Sequence, residues 1–192
     1  TESMTDAVLA PFVNALEDRD CTASIDLAGL PPGQDVFVEV TFLDYADYSS
    51  VSEPVRARFR TPPADRRDVR FLWSGDTAGQ GYGINPGFGG MRIYDTMRAC
   101  APDFFVHSGD TVYADGPIAA TVKLPDGSVW NNVTTEAKSK VAETLDEFRG
   151  QYLYNLLDEP LRRFNAEVPV YAQWDDHEVT NNWYWELRKD TD

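Results

Sequence analysis

Basic residues are scarce in this chain: 17 Lys and Arg stand against 32 Asp and Glu, a formal charge of −15. Nucleic-acid binding rests on Lys and Arg that neutralise phosphates, so this balance argues against a nucleic-acid partner. Long apolar runs are missing too, and no stretch approaches the ~18 residues that a transmembrane helix needs. The first residue is Thr1 and no signal-peptide pattern follows it, which reads as a mature, trimmed or partial chain. There are two cysteines, Cys21 and Cys100, too few to fix a redox compartment or to imply a bridge. Histidine is equally rare, at His107 and His177. Internal repeats and low-complexity tracts are absent. What is present is globular in character: 42% of residues are hydrophobic, with 10 Phe, 9 Tyr and 5 Trp, too much apolar and aromatic surface for a disordered chain.

The texture changes along the chain. Residues 35–43, DVFVEVTFL, alternate with Val36, Val38, Val40 and Phe42 on one face, after the turn signal PPGQ. Residues 53–61, EPVRARFRT, alternate again with Val55, Ala57 and Phe59 inward, and two antiparallel strands of a sandwich fit both runs. Residues 61–68, TPPADRRD, read as a linker. Beyond it, 69–75, 102–109 and 168–174 read as strands buried on both faces. Between the first two strands, Met91, Ile93, Tyr94 and Met97 predict a helix over 89–100. Between the last two, Val141, Leu145, Phe148, Tyr152 and Leu156 predict an amphipathic helix over 136–158, after a loop carrying the sequon-like NVT at Asn132. Strand, helix, strand, helix, strand is the order of an α/β layer with parallel strands.

Each of these three strands runs straight into acidic and polar residues: Ser74-Gly75-Asp76, then Gly109-Asp110-Thr111-Val112-Tyr113, then Asp175-Asp176-His177-Glu178. Ligands of open parallel sheets bind outside the carboxyl ends of the strands, so three distant segments deliver their acids to one rim. No Lys or Arg flanks Asp110 to balance it. Crowded carboxylates repel one another and resist ionisation as they lose water, whereas a divalent or trivalent cation holds them deprotonated. Asp, Tyr, Asn and His form a mixed hard donor set that suits iron, manganese, calcium or magnesium, with zinc as an alternative. Gly75 and Gly109 precede the first two acids and let the backbone turn sharply. The glycine-rich stretch 79–90 opens a helix where N–H groups could meet an anion, but it lacks the Lys-Ser/Thr pair of a P-loop. A two-carboxylate glycoside hydrolase would leave Tyr113 and His177 without a task. An inactive binding module of the same fold is the second alternative.

GDTAGQGYGI, PDFFVHSGDTVYADG and VPVYAQWDDHEVTNNW, in that order, resemble the PhoD-type alkaline phosphatase and phosphodiesterase family, within the calcineurin-like metallophosphoesterases. The resemblance covers 69–185 and suggests secreted bacterial phospholipase D-like phosphodiesterases. It implies hydrolysis of phosphate mono- or diesters at two metal ions, a ferric ion with Ca2+, or Mn2+ or Zn2+. By position, Asp76 matches the first metal ligand, where many family members carry a cysteine. Asp110 matches the bridging aspartate, Tyr113 a phenolate ligand and Asp176 a ligand of the second metal. Asn181 is a further metal-ligand candidate, and His177 matches the histidine that contacts phosphate and protonates the leaving group. The implied fold is a partial metallophosphoesterase α/β sandwich. Residues 69–192 form the N-terminal half of that domain and residues 1–62 the end of a β-sandwich domain. The implied partners are a phosphoester substrate and the remaining C-terminal part of the protein, and the implied location is secreted or periplasmic.

Overall fold

The computed structural model describes residues 2–187. The chain separates into two compact units that divide between Val69 and Arg70. In the first, β1 (Asp35–Val40) pairs antiparallel with β2 (Val55–Arg60), with Val36 opposite Phe59, Val38 opposite Ala57 and Val40 opposite Val55. The two alternating runs therefore put their apolar residues on one face, as the period of two requires. That face is only half-covered: Val36, Val38, Ala57 and Phe59 are half-buried, while Val40 and Val55 are exposed.

The second unit is mixed α/β. Its sheet has the order β3 (Phe71–Ser74), β4 (Phe104–His107), β7 (Val170–Ala172), all parallel, and a small hairpin of β5 (Thr121–Lys123) and β6 (Val129–Asn131) lies apart from it. Register places Phe71 beside Phe104 and His107 beside Ala172, so the three strands end together. One face of the sheet is packed. Phe105 joins Tyr94 of α1 (Ile93–Ala99), Leu161 and Phe164 of α3 (Glu159–Glu167) and Val168, with Leu72, Met91 and Met97 against them. Ile93, expected on this face, is exposed.

The opposite face departs from the expectation of strands buried on both sides. Trp73 is 71% and Tyr171 64% exposed, and Phe104 stacks on Phe71 at 5.4 Å and meets Tyr171 edge-on at 5.5 Å. Apolar residues on both faces make the sequence read as doubly buried. Among the described residues nothing covers that second aromatic side. No described helix is long and apolar enough to cross a membrane. Both cysteines are free and exposed.

The long helix expected over 136–158 is two pieces, a 3-10 turn at Ala137–Ser139 and α2 (Leu145–Asn155), and α3 follows as a separate helix. The breaks are chemical. Thr144 accepts from Glu147 N–H while Glu147 reaches back, a reciprocal cap that starts α2; Asp158 caps Leu161, with Pro160 in the first turn, and starts α3. The apolar stripe of Leu145, Tyr152 and Leu156 faces outward, and α2 buries Gln151, Tyr154 and Asn155 instead. Those polar groups satisfy loop backbone that would otherwise be orphaned. Asn155 donates to the Thr111 carbonyl at 2.7 Å, Gln151 to that of Ala137 at 2.7 Å, and the Tyr154 hydroxyl to that of Val133 at 2.9 Å. Asn132 is likewise a stitch, accepting from Gly83 N–H and donating to the carbonyls of Gly81 and Ala119.

The glycine-rich stretch gives its amides to protein partners: Gly83 N–H to Asn132, Ile84 N–H to the Tyr154 hydroxyl and Met91 N–H to Asp158. These amides are not open to an anion.

Phe164 is 0% exposed between Tyr94 and Phe105, whereas Leu145 is 64% exposed. Phe164→Ala should cost about 3–5 kcal/mol in urea unfolding and Leu145→Ala less than about 0.5 kcal/mol. Similar losses at the two positions would restore the single amphipathic helix.

Candidate metal centre at the strand ends

Three loops leave the carboxyl ends of β3, β4 and β7 and are tied to one another by backbone. Asp76 N–H donates to the Gly109 carbonyl at 3.1 Å, Thr77 N–H to that of Asp110 at 2.9 Å, and Ala114 N–H to that of His177 at 2.9 Å. The turns are tight. Asp76 and Asp110 both have left-handed backbone, φ 62° and 54°, which L-residues avoid and which concentrates at functional sites. Gly109 has φ 106°, and a Cβ there would collide with Asp175, so conformation and space both require glycine. The turn after β3 is made differently: the positive φ falls on Asp76 and not on Gly75.

One oxygen each of Asp110 and Asp176 and one imidazole nitrogen of His177 lie within 4.8 Å of one another, a group able to hold a cation. Asp110 is buried, and desolvation, with the charges of Asp76 and Asp176 adding to it, raises its carboxyl above the ordinary range despite the opposing pull of His177. A cation would hold a carboxylate in that setting ionised. The Tyr113 hydroxyl donates to Asp76 at 2.8 Å, and its ring stacks on the His177 ring at 4.4 Å. Burial, then Asp76 and Asp110, push the Tyr113 phenol well above its usual value. Asn181 is exposed, and its backbone N–H donates to Asp115 at 2.7 Å. The structure therefore gathers Asp110, Asp176 and His177 directly and links Asp76 to them through Tyr113. Asn181 joins by its backbone.

Five residues outside the sequence-derived set complete the site: Asp115, Glu178, Thr77, His107 and Lys138. Asp115 accepts from His177 Nδ1 at 2.8 Å, which leaves Nε2 facing the cation group, 4.0 Å from Asp176 Oδ1. Burial works against the His177 imidazolium, but the Asp115 bond and the charges of Asp115, Asp110 and Asp176 more than reverse it and raise its pKa. Burial likewise opposes the Asp115 carboxylate, yet His177 and the Asn181 N–H hold its pKa below the usual value. Glu178, 3% exposed, accepts from Asp110 N–H at 3.2 Å, Thr111 N–H at 2.6 Å and Asp175 N–H at 2.9 Å. Thr77 lies between the Tyr94 hydroxyl and His107 Nε2, at 2.9 Å from each. Desolvation lowers the His107 pKa, against the pull of Glu178 and Asp76.

Lys138, only 2% exposed, donates to the Tyr113 carbonyl at 2.8 Å and to Gln151 at 2.9 Å. Desolvation lowers its pKa to about 8, with Asp115 opposing. A basic residue does reach the acid loop, from 25 positions away. One signal for Glu178 was in the sequence: it stands three residues after Asp175, the spacing at which an acid reaches back to a cap residue's N–H. No helix follows among the described residues, only a turn in which Val179 and Thr180 N–H donate to the Asp176 carbonyl.

Comparison with known proteins places this geometry. Residues 71–192 match the PhoD-like phosphatase family. Alkaline phosphatase D of Bacillus subtilis (strain 168) is 32% identical over 95 residues, which are 50% of this chain and 15% of that protein. A solved structure described as that of PhoD superposes with a TM-score of 0.58 at 24% identity, over 85% of this chain and 28% of the other, a likeness of fold. The matches thus span less than a third of the length of either relative. With the match extending over every strand of the parallel sheet and all three acid-bearing loops, this chain belongs to the PhoD-like phosphatase family.

Proposed function

We propose that this chain carries the first part of a phosphoesterase centre that hydrolyses phosphate mono- or diesters with two metal ions. The observation that carries the reading is the close approach of the Asp110 and Asp176 carboxylates with the His177 imidazole beside them, within 4.8 Å, at the carboxyl ends of parallel strands. Asp76, Asp110, Tyr113, Asp176 and Asn181 are the proposed ligands, with Asp110 shared between the ions. A ferric ion is proposed beside Tyr113, because a phenolate is a hard anionic donor that a trivalent cation holds deprotonated. Ca2+ is the proposed second ion, with Mn2+ or Zn2+ as alternatives. Bound metal supplies Lewis-acid activation of the phosphoryl group and of water.

The chain's own groups do the rest. His177 keeps a proton at Nε2 because Asp115 fixes Nδ1 and stabilises the imidazolium, so it serves as the acid for the leaving oxygen. Tyr113 packs its ring along His177 and limits its rotation. The exposed aromatic face of β3, β4 and β7 is the proposed seat of further strands that complete the α/β sandwich and bring additional ligands. The rest of a longer protein is thus the proposed partner, and residues 1–62 are the proposed end of a β-sandwich domain. A secreted or periplasmic location goes with this reading.

In the intact protein, Asp110→Ala should abolish both metal loading and hydrolysis of p-nitrophenyl phosphate. His177→Ala should keep the metal and lower the rate by ~10²–10⁴-fold. Equal metal loss in the two variants would make His177 a ligand and remove its acid role.

The two histidines also separate by pH. In the metal-free protein, NMR should give one imidazole midpoint below the ordinary ~6.5, from His107, and one above it, from His177. The raised His177 pKa then contributes stability that is full below the unfolded imidazole value and lost as pH rises through the folded one, while the Asp115 side of the pair is lost in acid as its lowered carboxyl protonates. Asp115→Asn should lower the upper midpoint and leave the lower one in place; an unmoved upper midpoint would contradict the pairing.

A further inference from the structure

Glu178 is a buried acid at the heart of the site that is not a member of the cation group. Its two oxygens are taken. Oε1 accepts from Thr111 N–H at 2.6 Å, and Oε2 from Asp110 N–H at 3.2 Å and Asp175 N–H at 2.9 Å. Two of those amides lie in the loop after β4 and the third in the loop after β7. The donors are consecutive at 110 and 111, a small concavity of N–H groups of the kind that holds an anion.

From this geometry we infer that Glu178 is a positioning residue for the metal centre, setting the Asp110 carboxylate opposite Asp176 and His177. The inference rests on the metallophosphoesterase reading. Asp110 is gripped from two sides. Glu178 holds its backbone N–H, and the His177 N–H donates to its Oδ1 at 3.2 Å. Its left-handed φ of 54° is disfavoured for an aspartate and needs such support. Asp176 follows directly on Asp175, the third residue that Glu178 holds. A single carboxylate thus spans the two loops whose acids must meet around one cation.

Charge and reach are both required. Three donors converge on two oxygens, and a carboxylate group presents acceptor lone pairs on both. The amide of Gln has the same length but turns an NH2 group toward one of the N–H donors. Asp keeps the charge and is one methylene short. Purely electrostatic help would survive Glu178→Asp, and simple space-filling would survive Glu178→Gln.

The test is made on the intact protein with Mn2+ as the probe ion. Glu178→Gln and Glu178→Asp should each weaken Mn2+ binding by about 10–100-fold in calorimetric titration, the range for residues that orient ligands. The kcat for p-nitrophenyl phosphate should fall with KM within about twofold, while the metal-free protein still unfolds cooperatively in urea at a lower midpoint. Wild-type Mn2+ affinity in Glu178→Gln would overturn the positioning role. So would a loss of affinity that vanishes once the unfolded fraction is allowed for, which marks a residue serving the fold alone.

Should the variants fail to fold, hydrogen exchange on the metal-free wild type decides: the Thr111 and Asp175 amides should be strongly protected, and exchange at open-loop rates would overturn the clamp. A wild-type protein that neither binds Mn2+ nor cleaves phosphoester would instead bring down the proposed function itself, an outcome distinct from a metal-binding wild type matched by its Glu178 variants.

Discussion

Mutual repulsion among carboxylates is the constraint from which the rest of this structure follows. Asp76, Asp110, Asp115, Asp176 and Glu178 converge at one end of a three-stranded sheet, in a chain that already carries a formal charge of −15. Every one of them is accounted for differently. Glu178 is spent on backbone amides, Asp115 on His177 and the Asn181 N–H, and Asp76 on the Tyr113 hydroxyl. The Asp176 carboxylate also accepts from the Asn182 N–H. Asp110 accepts from the His177 backbone N–H, and burial raises its carboxyl pKa, a setting in which a cation would hold it ionised.

Holding such a cluster in place demands rigidity beneath it, and the rigidity is polar. The buried side of α2 offers Gln151, Tyr154 and Asn155 to loop backbone, and Lys138 props the Tyr113 carbonyl from below. Gly79 and Gly83 leave room for the Tyr113 ring and the Tyr154 hydroxyl to press against the glycine-rich loop. That loop is a packing surface for the site and not a separate anion cradle. The aliphatic and aromatic core of Tyr94, Phe105, Leu161, Phe164 and Val168 sits on the far side of the same strands and fixes their common end.

Strand placement, and the meeting of the acid motifs at one rim, were legible because each apolar run ended in such a motif. Register then did the rest: Phe71 beside Phe104 and Phe105 beside Val170 bring the three ends level. Periodicity misled where polar residues are buried and apolar ones are not. Leu145, Tyr152 and Leu156 lie at helical spacing yet face outward, while Gln151 and Asn155 are buried because loop backbone needs partners. Exposure of Trp73 and Tyr171 could not be read either, since a strand awaiting a cover and a strand already covered have the same sequence. Lys138 was hidden by distance in sequence, and its role as a prop appears only when the 3-10 turn at Ala137–Ser139 folds under the acid loop.

The central claim is that Asp110 shares a cation with Asp176 beside His177. Anomalous diffraction from crystals of the protein grown with Mn2+ tests it most directly. A difference peak at coordinating distance from the Asp110 carboxylate, with Asp176 on its other side, is the predicted result. A well-ordered Asp110 loop with no peak there at saturating Mn2+ would contradict the account.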